Sequence, residues 1–257
     1  MKIHLIRSEE ISLTRFKTIL EIIQKFQGPI QFKALKEDLA EDSEKGSDFE
    51  NQEETTNEVS IAGESIKPIK RLRSLSWDEI FAQCESFRSI HKIKMDEVVL
   101  LLTDHPNHPN YFSTWDPTGK LNYFVQTSLW ELFIDADSCY PIVYELASAA
   151  LYMASCDDPD EMERVSHDEL RGCAFDYCRK KEQIQFKLRT ADICHECLQR
   201  IIGKNIDQGI IDQVFKIYEG VRNQMLFRER FVVSKKLSRM ELDILKHELR
   251  FVDFWNI

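Results

Sequence analysis

Four of the seven cysteines lie between Cys173 and Cys197, in two closely spaced pairs. Cys173 and Cys178 form a C-x4-C step, fifteen residues follow, and Cys194 and Cys197 form a C-x2-C step. A tetrahedral zinc ion takes four soft donors from two chain segments, and two short knuckles joined by a spacer supply them. The pattern predicts one structural zinc ion per chain, held by Cys173, Cys178, Cys194 and Cys197. Two readings compete with it. Free buried thiols leave the pairing unexplained. Disulfides need an oxidising compartment, and the first ten residues, Met1 to Glu10, have no signal-peptide hydrophobic region. The expectation is a cytoplasmic protein whose zinc contributes folding free energy outright.

Other residues offer thinner chemistry. His105 and His108 stand at H-x-x-H spacing in a Pro- and Asn-rich loop, and His167 precedes Asp168 and Glu169. With Glu145, these histidines form the alternative reading: a zinc-dependent hydrolase with a relocated metal site. Against it, the Pro-Asn repeat already explains a turn, and His167 reads equally as a polar lead-in to the first knuckle. Cys84 falls on the apolar face of a helix, while Cys139 and Cys156 are lone cysteines without a partner motif. Arg179, Lys180, Lys181, Lys187 and Arg189 form a basic cluster between the cysteine pairs. It supports a second alternative, a nucleic-acid-binding zinc module, in competition with a solvated loop face. No P-loop, G-x-G-x-x-G or G-x-S-x-G occurs, so nucleotide handling and that acyl-transfer elbow lack a signature. No catalytic residue and no organic cofactor is assigned.

The elements that must position these residues read as an α/β (α+β) fold. The chain has 257 residues, 43% of them hydrophobic, enough for a sizeable core. No apolar run approaches the roughly 18 residues that span a bilayer. The net charge of −10 is local, since residues 37–64 hold eleven acidic residues and one lysine. Residues 2–6, 12–26 and 30–35 alternate strand, helix, strand, which favours a parallel pair with a right-handed crossover. Residues 37–66 read as an acidic disordered insert, and 67–73 as a short basic run. Ser76 and Glu79 form a capping box for a helix running to about Ser89. Residues 96–103 read as a buried strand. Residues 111–115 and 122–127 read as a hairpin, 129–134 as a further extended piece, 140–154 as a buried helix and 156–165 as an acidic loop. An amphipathic helix over 210–226 and a short helix over 241–251 follow. The domain reading is 1–36 as the opening of the sheet, 37–66 as the insert, 67–202 as the core with the zinc site, and 203–257 as a C-terminal helical extension.

This order of elements, with a buried helix leading into paired cysteines, resembles the metzincin metallopeptidases. Over about residues 95–202 it is most similar to their archaemetzincin branch. That branch sets C-x4-C and C-x2-C after its active-site helix to bind a structural zinc. The resemblance therefore implies a metzincin-like mixed sheet with packed helices and a four-cysteine zinc knuckle. It also places the active-site motif H-E-x-x-H, whose histidines hold the catalytic metal and whose Glu activates its water. Here the matching residues are Tyr144, Glu145 and Ser148, so only the Glu stands. The favoured expectation is a catalytically degenerate, zinc-stabilised protein acting as a protein-interaction or regulatory module, with a protein partner unidentified by the sequence.

Overall fold

A computed structural model describes residues 1–35, 72–134 and 136–236. The acidic insert, most of the basic run at 67–73, the short helix at 241–251 and the aromatic tail lie outside the described residues.

Five strands form one mixed sheet. They are β1 (Lys2–Arg7), β2 (Gln31–Lys33), β3 (Val98–Thr103), β4 (Ser113–Trp115) and β5 (Asn122–Gln126). Their order is β2-β1-β3-β5-β4, with β4 antiparallel at one edge and every other pair parallel. All six residues of β3 are buried, as expected of a central strand covered on both faces. The opening β-α-β unit is present, with Lys2 opposite Gln31 in a parallel pair. The expected hairpin is present too, with Thr114 opposite Phe124.

Helices cover both faces. Helix α1 (Leu13–Gln24) starts at Ser12, whose hydroxyl accepts from the Arg15 N–H, and it buries Phe16, Ile19, Leu20, Ile22 and Ile23. Helix α2 (Trp77–Ile90) carries the expected capping box and packs Ile80, Phe81 and Cys84 on the opposite face, against Val99, Leu101 and Phe124. Helix α3 (Cys139–Ser155) has fourteen of its seventeen residues buried. It lies beside α1 and the sheet, and α7 (Gln208–Lys236) covers its outer side. A helix apolar on nearly every side belongs inside the molecule. Gln213 of α7 is buried and fastens α7 to the α1–β2 turn. It donates to the Phe26 and Ile30 carbonyls, and its side-chain oxygen accepts from the Ile30 N–H at 2.7 Å.

Two expectations change. Residues 129–134 are not extended, because Trp130–Leu132 form a 3-10 turn whose Trp130 stacks on Phe112. The acidic stretch at 156–165 is not all loop. Pro159–Val165 form helix α4, with Asp158 as N-cap and Pro159 in the first turn. That pair is a helix-start signal, hidden by the density of charge around it.

Replacing fully buried Leu146 of α3 by Ala should cost about 2–5 kcal/mol in denaturant unfolding. A loss below 0.5 kcal/mol would contradict the buried placement of α3. The capping box gives a pH test. The Ser76 backbone N–H, then Arg73, hold the Glu79 carboxyl at about 2, against an ordinary 4.5. Its contribution is complete above pH 4.5 and fades as pH falls toward 2. Glu79→Gln, which removes the titrating carboxyl, should flatten that acid limb in a melting-temperature profile.

Candidate metal centre

Two loops and the start of one helix converge near the C-terminal end of α3. The loop from Ser166 to Tyr177 folds on itself. His167 N–H donates to the Phe175 carbonyl and Tyr177 N–H to the His167 carbonyl, both at 2.8 Å. Asp176 fixes its middle, one carboxylate oxygen accepting from the backbone N–H of Arg171 at 2.8 Å and of Cys173 at 3.0 Å. Gly172 has φ +76°, and a Cβ there would lie 2.5 Å from the Thr190 hydroxyl oxygen. A side chain is excluded on both counts. The Ala174 N–H donates to the Asp192 carbonyl, tying this loop to the second one. Cys194 is the N-cap of helix α6 (His195–Gly203), and Cys197 lies in its first turn.

The result is one donor cluster. His167 Nε2 and the sulfurs of Cys173, Cys194 and Cys197 all lie within 4.8 Å of one another. The imidazole nitrogen is 3.1 Å from the Cys197 sulfur and 3.3 Å from the Cys194 sulfur. With Zn–S near 2.3 Å and Zn–N near 2.0–2.1 Å, a zinc tetrahedron has edges of roughly 3.5–3.8 Å, so the four atoms fit one zinc ion. Electrostatics agree. The Cys197 thiol donating to Cys173 brings that sulfur down to about 5, and the N–H groups of Cys194 and Phe175 support its thiolate. The same crowding pushes Cys197 up. Cys173 and Cys197 cannot both ionise at this separation without a cation between them.

Three of the four expected donors therefore meet, and the fourth donor atom of the cluster is His167 Nε2. Cys178 joins no such cluster; its half-buried thiol lines a separate cleft beside α3, and burial pushes its pKa up. The chain explains the exchange. The Tyr177 N–H is bonded back to His167, so the strand-like bridge at 167–177 carries the histidine inward and Cys178 out of reach. The spacing of Cys173 and Cys178 reads as a knuckle, but the pair of donors this loop brings to the cluster is His167 and Cys173. In the sequence, His167 reads as a ligand of a different site or as a polar lead-in to this knuckle, not as a donor to it.

That different site does not assemble among the described residues. His105 is held by Glu10 at 2.8 Å and by the Arg73 carbonyl at 2.9 Å. His108 is exposed, His167 belongs to the cysteine cluster, and Glu145 accepts from the Ser113 hydroxyl at 2.6 Å. The basic cluster is not one solvated face either. Arg179 pairs with Asp168 at the surface, whereas Lys187 is only 6% exposed and Lys181 lies over the Phe112 ring at 4.4 Å. His195 is exposed and outside the cluster. Cys84, Cys139 and Cys156 are buried, and burial raises all three thiols.

His167→Ala should weaken zinc binding by more than the roughly ten- to hundredfold lost with a merely supporting partner. Cys178→Ala should keep the metal. Competition with a colorimetric chelator measures both, and loss of zinc from Cys178→Ala alone would contradict this ligand set.

No family model matches the chain, and no curated protein matches it. Among solved structures, the chain is similar to a zinc-dependent peptidase from Methanocorpusculum labreanum (strain Z). The identity is 14%, over 77% of this chain and 99% of that one, with a TM-score of 0.47. A likeness of that size assigns no activity.

Proposed function

We propose that this chain is a catalytically degenerate, zinc-stabilised protein on a metzincin-like scaffold, and that it acts by binding, as an interaction or regulatory module. The observation that carries this reading is what occupies the two metal-ligand positions of α3 implied by the resemblance. Tyr144, at the first ligand position implied by the resemblance, stacks on Tyr218 of α7 with ring centroids 4.8 Å apart. Ser148, at the second, is hydrogen-bonded to the Tyr218 hydroxyl at 2.9 Å. Both side chains are fully buried, so α7 fills the ground a catalytic metal needs. The zinc cluster already has four protein donors, the closed arrangement of a structural site. Bound there, zinc supplies folding free energy.

One observation favours the hydrolase alternative. Glu145 lines a cleft of about 140 Å³ beside the edge strand β4, and burial raises its pKa, as suits a general acid or base. Among the described residues, what it lacks nearby is a group that would ionise water near pH 7.

A peptide-library digest with the zinc-loaded protein, run beside Glu145→Gln, tests the proposal. The expected result is no cleavage above background by either. Zinc-dependent cleavage abolished by Glu145→Gln would overturn it in favour of the hydrolase.

A further inference from the structure

The cleft beside α3 holds one ammonium, that of Lys181, with no hydrogen-bond partner among the described residues. Two lysines line it. Lys187, on helix α5 (Ile184–Thr190), is 94% buried by the 6% exposure above, and its ammonium has one hydrogen bond, to the Asp176 carbonyl at 2.9 Å. Lys181, in the 3-10 turn just before α5, has a buried ammonium with no hydrogen-bond partner among the described residues. Its one neighbour of note is the Phe112 ring, and burial lowers its pKa to about 8. Neither lysine has an ion pair among the described residues. A buried ammonium without an anion is costly; Lys187 has the buried Glu145 carboxyl within electrostatic reach, and Lys181 is the one left without a polar partner among the described residues.

The same walls limit the ligand. Glu145 and Asp176 also line the cleft, so a dianion such as phosphate meets carboxyls as well as ammoniums. The remaining lining includes Phe112, Tyr123, Met162 and Ile184, a surface for an apolar or aromatic body. We propose that this cleft binds a small organic monocarboxylate, its carboxylate drawn by Lys181 and Lys187 and its body against Phe112 and Ile184. This rests on the reading that the chain acts by binding, and it names the chemistry bound. The carboxylate belongs either to a free acid or to the C-terminus of a peptide.

Titration calorimetry on the zinc-loaded, full-length protein tests this. The probes are benzoate, benzamide, inorganic phosphate, and a hexapeptide ending in phenylalanine as free acid and as amide. The expected result is saturable binding of benzoate or the free-acid peptide, the tighter of the two naming the source. The matching amide should bind at least about tenfold more weakly, since a hydrogen bond to a charged group is lost. Lys181→Gln should weaken the acid by about tenfold without moving the melting temperature, and Lys187→Met gives a second variant. Failure of both acids to saturate, equal binding of acid and amide, tighter binding of phosphate, or no effect of either variant would overturn the proposal. None of these outcomes changes the metal count or the digest, so this proposal and the binding reading fail separately.

Discussion

Three cysteine sulfurs and an imidazole nitrogen gathered within 4.8 Å make a strongly constrained arrangement. Without a cation, each thiolate that forms raises the cost of the next, and the donors gain little from being adjacent. With zinc at the centre, the same crowding becomes cohesion. Much of the C-terminal half hangs on this point. The cluster joins the loop that carries His167 and Cys173 to the start of α6. Asp176, within that loop, accepts the ammonium of Lys187 from α5. Helix α5 in turn packs on α7, and α7 on α3.

The second organising constraint is the burial of α3. In a helix apolar on nearly every side, buried polar groups are stabilised by partners inside the protein, and two of the polar side chains of α3 have them. Ser148 finds Tyr218, and Glu145 finds Ser113 on the edge strand. These pairings separate two consequences of one helix. The side turned to α7 is sealed, while the side turned to β4 opens into the cleft. The zinc cluster and the cleft share the 167–187 segment, with Asp176 touching both.

Much of the fold was legible because its signals are local. The capping box at Ser76 and Glu79, the all-apolar run of β3 and the helical spacing of Phe16, Ile19 and Ile23 each state their structure within a few residues. Pro159 after Asp158 stated a helix too, but the surrounding acids made it read as loop. The site was legible only in part. Cysteine spacing identified a zinc-binding segment, yet spacing counts residues and cannot see a backbone doubling back. The bond between the Tyr177 N–H and the His167 carbonyl reverses the chain, and a histidine six positions before Cys173 replaces a cysteine five positions after it. The partnership of Tyr144 and Ser148 with Tyr218 joins residues some seventy positions apart, and nothing local announces it.

Zinc K-edge X-ray absorption on the purified protein tests the ligand set most directly, because sulfur and nitrogen neighbours differ in distance and scattering. The account predicts three sulfurs near 2.3 Å and one nitrogen near 2.0–2.1 Å, with no further oxygen neighbour. Four sulfurs would restore Cys178 as a ligand and contradict the place given to His167. A spectrum dominated by nitrogen and oxygen would contradict the closed structural site altogether.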